Sequence, residues 1–516
     1  IQTAVTLALI SSGIIPAVKA EVADQNVDNS SGTTIDQGSG KVAVDLDNGS
    51  TFTVTNAGTI SASAGLDDVF AINVDSSNTT LSNLNNSGSI TAATTNANKR
   101  RAYAVNVHTN AIIGTITNSG TIKGQGQKSD GTGIRYISGG PSTSITNTST
   151  GIIEGISGLG LGGGLSANSA SGLHTSNSTS SNTITLDNDG IIRGLSDNNA
   201  GYGARLGSKI TTIDNSGTVL GQADASSAYG FTFTNSNSGV SITTINNSGT
   251  ISGVAGTDNA YGINTFVRDT GTINNSGTIS AVATTETSYG LRLYSIFGGA
   301  DITNLNNSGT ISASSGTTSS YGVYLNNYYD EAEIVNFTNT GTISSSVGSG
   351  SDAFDIFLDT GMGMGGENTI TNLNNSQGKS GNDVLLNGNE RSTNFFLCKK
   401  EVFRDLFSEE TMWPVDGRDT TTKYKKWGLE RADKITLYTE KIGGQYYLDG
   451  YEKPFMVHWG GRGDRIDKFF INHKEDGYYN LITWINLYKD KINDNNDFPA
   501  DYLLQNISPY PINLRF

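Results

Sequence analysis

Cysteine is nearly absent from this chain: Cys398 stands alone among 516 residues. That excludes an intramolecular disulfide and any cysteine-based metal cage, so the residues before it hold together by other means. Tryptophan is missing from most of the chain as well, since Trp413, Trp427, Trp459 and Trp484 all follow residue 390. Aromatic residues number 20 in the first 390 positions and 23 in the last 126. Positive charge is scarce over the same stretch: residues 1–390 carry 14 Lys and Arg against 29 Asp and Glu, which is the whole net charge of −15, whereas 391–516 carry 19 of each sign. An acidic surface repels phosphate backbones and keeps an exposed rod in solution, which argues against nucleic acid as a partner. The chain is compositionally two proteins.

An apolar run that could cross a bilayer is not found at the start. Thr3 to Ala17 is apolar and small, but spanning takes about 20 residues. Followed by Val18-Lys19-Ala20, it looks like the h-region and cleavage site of a secretory signal over residues 1–20. It has no basic n-region and no Met, so the segment reads as truncated; residues 21–41 form a lead-in.

Motifs of chemistry are thin. No HExxH or His-x-His spacing occurs, and no Gly-x-Ser-x-Gly elbow can be assembled with partners. Gly158-Leu-Gly160-Leu-Gly-Gly163 matches a dinucleotide fingerprint but lacks the following helix whose N-terminus would meet a pyrophosphate, and reads as a loop. Gly378-Lys-Ser-Gly381-Asn382-Asp383 resembles half of a calcium-binding turn without the second turn beneath it. Arg462-Gly463-Asp464 reads as a turn beside Gly460 and Gly461. His458 and His473 lie near Asp464, Asp467 and Glu475 without ligand spacing, and His108 and His174 are isolated. No catalytic, cofactor-binding or metal residue is assigned, and no cofactor is implied.

What is abundant is repetition. A run of the type Asn-Ser-Gly-Thr-Ile returns with turn residues Asn86 and Gly88, Asn118 and Gly120, Asn215 and Gly217, Asn247 and Gly249, Asn275 and Gly277, Asn307 and Gly309, Asn339 and Gly341. Asn56-Ala57-Gly58 belongs to the same series, with degenerate copies at Gly151 and Gly190. The glycines are spaced by 27 to 39 residues. A second element follows each: Phe70-Ala71, Tyr103-Ala104, Tyr202-Gly203, Tyr229-Gly230, Tyr261-Gly262, Tyr289-Gly290, Tyr321-Gly322 and Phe354-Asp355. One period therefore holds at least two strands.

The pattern predicts coiling. Aliphatic residues alternate at strand spacing with no helical period. Asn and Gly tolerate left-handed backbone angles, which bends the chain at each Asn-Ser-Gly. A fixed period stacks like on like about 4.8 Å apart, so Ile60, Ile90, Ile122, Ile251, Ile279, Ile311 and Ile343 are expected in one interior column. Stacked Asn side chains can hydrogen-bond along their column. The expected fold class is all-β: a right-handed parallel β-helix solenoid of about ten to twelve rungs over residues 42–386, followed by a small α+β segment.

With a leader-like start, tandem NSGTI repeats and YG strands, roughly three quarters of the chain resembles the passenger region of Gram-negative autotransporters. The resemblance implies export to the outer-membrane surface or the exterior, and a role as adhesin or structural stalk. Its implied partners are host or neighbouring-cell surface molecules and an outer-membrane translocator barrel, which this sequence does not supply.

Residues 391–516 read as a globular α+β segment. Cys398–Phe407 and Leu481–Tyr488 have helical spacing, while Lys434–Tyr438 and Gly444–Leu448 suggest a hairpin. Tyr510, Ile512, Leu514 and Phe516 alternate like a last barrel strand, but the segment is too short for a barrel of roughly 10-residue strands. Two origins stand open: a natural small domain, or a frame joining a passenger to part of an unrelated protein, which the missing Met and barrel and the abrupt composition shift favour. The alternative function is a displayed enzyme with its active site in 391–516, where His458, Asp464, Arg465 and Asp467 are the group to inspect.

Overall fold

The computed structural model describes residues 22–375 apart from short stretches between strands, and beyond them 384–387, 440–442 and 445–447. The chain divides into Ile1–Gln377 and Gly378–Phe516.

Every described element of the first unit is a β-strand in parallel pairing. One coil shows the plan. Ser241–Asn247 ends at the Asn-Ser-Gly corner, Thr250–Ala255 follows it, and Ala260–Thr265 carries the Tyr-Gly pair. In the next coil Asp269–Asn275, Thr278–Ala283 and Ser288–Ser295 pair with these three in turn. The result is a three-sheet parallel β-solenoid: an Asn sheet of 12 strands, a Thr-Ile sheet of 11, and a Tyr sheet that takes every third strand. At the strand spacing, ten steps of the Thr-Ile sheet stand roughly 50 Å tall.

The coil thus has three strands where the motifs revealed two. Its third member, the Asn sheet, hides because most of its strands carry a stacked irregularity. In Ser241–Asn247, Ile242 pairs with Ile210 and Thr244 with Thr212, leaving the intervening Thr243 exposed and unpaired in the ladder. Ile242 and Ile245 are therefore both buried although three apart, which breaks simple alternation.

The core is a set of columns. Ile60, Ile90, Ile122, Ile153, Ile192, Val219, Ile251, Ile279 and Ile311 stack in register, each 0% exposed. Ile343 continues the register from Ile311 but is half-buried, with no further strand of the Thr-Ile sheet beyond it among the described residues. It is not an interior residue, as the repeat had led us to expect. The other end also departs from expectation. Val22–Ala23, Val27–Asn29 and Thr34–Asp36 pair with the strands of the following coil, so the solenoid starts within the supposed lead-in rather than at residue 42.

The corners are held by an unbroken amide ladder. Asn29, Asn56, Asn86, Asn118, Asn147, Asn188, Asn215, Asn247, Asn275, Asn307 and Asn339 are all buried. From Asn29 onward each Nδ2 donates to the next Oδ1 at 2.6–2.8 Å. The Asn215 Nδ2 also faces the Gly217 and Thr250 carbonyls at 3.3 Å. The backbone adds to this, since the N–H groups of Ser248 and Gly249 both donate to the Asn215 carbonyl of the preceding coil, at 2.8 and 3.0 Å.

The corner glycines are there for another reason than left-handed backbone. Among described glycines only Gly32, Gly49 and Gly158 have positive φ. A Cβ on Gly249 would instead collide with the Gly217 carbonyl of the coil before it. Glycine marks close approach between coils, not a left-handed turn.

In the second unit, Val384–Asn387 is a strand, and Glu440–Ile442 pairs antiparallel with Gln445–Tyr447. A hairpin is present, but its first strand follows the stretch Lys434–Tyr438 expected for it, which lies outside the described residues. The signal-like segment 1–20, both expected helices and the terminal alternation lie outside them too.

Asn247→Ala removes the acceptor of Asn215 and the donor to Asn275 inside the corner, and should lower stability by about 1–3 kcal/mol. Thr243→Ala, at the exposed position that stands outside the ladder, should cost less than about 0.5 kcal/mol. Equal urea midpoints for the two variants would contradict the ladder's role. Ile279→Asp places an unpaired carboxylate in the aliphatic column and should shift the midpoint further than Asn247→Ala.

Candidate functional site

Function on a solenoid resides on its outward faces, and three differ here. The first follows the Asn-Ser-Gly corners. A groove of about 360 Å³ crosses several coils, lined among others by Asp189, Asp214, Ser248, Asn274, Asn306 and Thr338. A second, outer amide ladder forms its wall: Asn246 donates to Asp214 at 2.7 Å, Asn274 to Asn246 at 2.8 Å and Asn306 to Asn274 at 2.9 Å. One end is acidic. There burial, then the nearby Asp189 and Asp214, raise Asp187 above the ordinary carboxylate range. The remainder offers amides and hydroxyls.

The second face is the outside of the Thr-Ile sheet, mostly Thr and Ser. Its charged residues stand in one column of alternating sign, Lys123, Glu154 and Arg193 in register. Glu154 is 4% exposed, with Lys123 Nζ at 3.5 Å and Arg193 Nη2 at 2.5 Å. A buried carboxylate between two cations is compensated on both sides.

The third face, on the Tyr sheet, is the most specialised. Tyr202, Tyr229, Tyr261, Tyr289, Tyr321 and Phe354 form a continuous ring stack with centroids 4.7–6.0 Å apart. Burial pushes the Tyr229 and Tyr289 hydroxyls up to about 12, so they stay protonated and act as apolar walls with a polar tip. Phe70 and Tyr103 form a separate short stack at 5.8 Å. Between the two stacks the ring column is interrupted by Thr132 and Ser171, which occupy the same register position.

Beside the interruption, three residues from consecutive coils share another column: Arg135, His174 and Arg205. Arg135 lies 4.7 Å from the Tyr103 ring and Arg205 5.4 Å from the Tyr202 ring, so each guanidinium caps one end of an aromatic stack. Asp130 sits in the same cluster. Its Oδ1 accepts from the Ser169 N–H at 2.8 Å and its Oδ2 is 3.7 Å from Arg101 Nε. Burial lowers Arg135, and burial, then Arg205 and Arg135, lower His174 to about 3. At neutral pH His174 is therefore an uncharged ring between two cations.

The motifs chosen from sequence divide between scaffold and undescribed regions. The Asn and Gly turn residues and the Ile column build the coil, and none of them is itself exposed chemistry. His108 is not isolated: its Nδ1 lies 3.5 Å from Asp75. Nor is His174, for the reason just given. Gly158 is in a left-handed turn, but the rest of the dinucleotide-like run lies outside the described residues, as do Gly378–Asp383, His458, Arg462–Asp467, His473 and Glu475. Among the described residues no group of His, Cys, Asp and Glu could hold a metal ion. No family model, no curated protein and no solved structure matches this chain.

His174 gives a pH signature. Burial, then Arg205 and Arg135, hold its folded pKa at about 3, below the ordinary imidazole value of 6.5, so between these values the unfolded chain binds a proton that the folded chain refuses. Stability should therefore fall as pH drops through 6.5. Thermal melts at about pH 7.5 and 5 should show a drop that shrinks in His174→Gln. An unchanged drop in the variant would place the titration elsewhere.

Proposed function

We propose that the repeats act as an exported, surface-displayed passenger of the autotransporter type, serving as adhesin or structural stalk. The observation carrying this reading is the in-register stacking of every corner and every sheet, coil after coil, into a self-supporting rod with a laterally repeating surface. Such an array folds by nearest-neighbour addition, one coil templating the next, which suits a chain that emerges progressively through a pore. With no cysteine before Cys398, nothing in the repeats can be trapped by premature cross-linking in an oxidising compartment. The acidic surface resists collapse onto anionic lipid. Partners under this reading are a translocator barrel in the outer membrane and molecules on host or neighbouring-cell surfaces.

Protease treatment of intact Gram-negative cells expressing the natural locus tests the reading. Antibody raised against the repeats should lose its signal on intact cells, while a periplasmic marker survives. Protection of the repeats until the outer membrane is permeabilised would refute surface display.

A further inference from the structure

We propose that the Arg135–His174–Arg205 column, with the interruption in the aromatic stack beside it, is a binding site for an oxyanion group such as sulfate. The argument begins with how charge behaves in a parallel in-register stack. Each residue sits one strand spacing, about 4.8 Å, from its register neighbours, and like charges in that position repel. The Thr-Ile face obeys this rule by alternating Lys123, Glu154 and Arg193. The Tyr face departs from it, placing Arg135 and Arg205 above and below His174, with the acid of that column, Asp45, three coils from Arg135 beyond Asn73 and Asn106.

The surroundings do not remove the excess. Facing the column are Asp130, Arg101, Tyr103 and Tyr202, with Asp68 accepting from the Arg101 N–H at 2.9 Å. Three guanidiniums against Asp68 and Asp130 leave the cluster net positive in an otherwise acidic rod. One donor is also unused: Arg205 Nε is buried and has no acceptor among the described residues. Arg135 Nη1 spends a bond on Asn106 Oδ1 at 3.1 Å, a neutral partner. Arg135, His174 and Arg205 are each half-buried rather than sealed, so a ligand can reach them. Planar guanidiniums already fixed against rings lose little freedom on gripping an oxyanion, and their donors suit its paired oxygens. Each of these features costs stability without a ligand and is repaid by one.

His174 supplies a readout that a purely structural role would not. An anion between the two arginines favours the imidazolium, so binding raises the His174 pKa, and by reciprocity binding tightens as pH falls. The charged groups sharing that field are Arg101, Arg135 and Arg205 with the carboxylates of Asp68 and Asp130.

The test uses the full chain. Sodium sulfate is titrated against sodium chloride at matched ionic strength, with calorimetry for affinity and NMR of the four histidines for their pKa values. Expected are saturable sulfate binding, an upward shift of His174 alone, and at least tenfold weaker binding in Arg205→Gln and Arg135→Gln but not in Lys123→Gln. His174→Gln should bind with the pH dependence lost. Linear stabilisation by sulfate, equal in all variants, would mark general salt exclusion and overturn the proposal. If the arginine variants fail to fold, the His174 shift in the unaltered protein decides. A sulfated oligosaccharide and its desulfated form then separate sources. Tighter binding of the sulfated form than of free sulfate assigns the site to an acidic glycan, and equal binding assigns it to the free ion. Failure of all three ligands to bind refutes the site while leaving surface display untouched.

Discussion

The amide–amide hydrogen bond between stacked asparagines is the constraint on which the rest of this solenoid depends. A buried carboxamide has two donors and two lone pairs, and at these corners the next coil supplies the acceptor while the previous one supplies the donor. The group is satisfied only if an Asn recurs at that point in every coil, because a buried unpaired amide is costly. The corner Asn is therefore a position the coil cannot vary freely. Bonded asparagines are as close as 27 residues and as far as 41 residues apart in the chain, yet the bond stays at 2.6–2.8 Å. Insertions are accommodated between strands, and the corner resets the register.

The same constraint explains which parts of the fold were legible. Residues whose environment repeats are written repeatedly, so Asn247, Gly249, Ile251 and Tyr261 announce their columns by recurrence alone. Degenerate coils hide theirs: Asn147 and Asn188 fill the ladder from within Thr-Asn-Thr and Asp-Asn-Asp, where no NSGTI text flags them. The Asn sheet was obscured by its unpaired Thr243-type residue, which puts Ile242 and Ile245 on one side and mimics neither strand nor helix period. The reason for glycine was misread because close approach of a neighbouring coil leaves the same letter as a left-handed turn. Arg135, His174 and Arg205 belong to no repeat and are far apart in the chain, so their meeting was invisible without the register.

In-register stacking also explains what the rod can and cannot carry on its surface. Neutral polar and aromatic residues profit from meeting their own kind, as the amide ladders and the Tyr202–Phe354 ring stack show. Charged residues do not, which fits a chain only 16% charged. A polar residue placed outside the ladder logic pays for it. Asn264 is 0% exposed between Thr232 and Arg292, and both its amide atoms lack partners among the described residues. Arg292 is tolerated because Tyr261, Tyr289 and Tyr294 surround its guanidinium at 4.3–5.6 Å.

A fold of this kind has little need of a closed globular core, and that bears on what it is good for. Each coil covers the aliphatic edge of the one before it, so stability accumulates along one axis and the last coil is the weakest. Ile343, on the last described strand of the Thr-Ile sheet, is half-buried where its counterparts are fully buried. Length is then adjustable by adding coils, and each added coil presents the same three faces one strand spacing further out. Specific recognition needs a departure from that uniformity. The strongest departure in the described rod is the interruption of the ring column, where Thr132 and Ser171 replace aromatics and Arg135, His174 and Arg205 stand in the column alongside. A repetitive scaffold carrying an aperiodic, charged notch thus has a position that differs from every equivalent point on the neighbouring coils, set by the register alone.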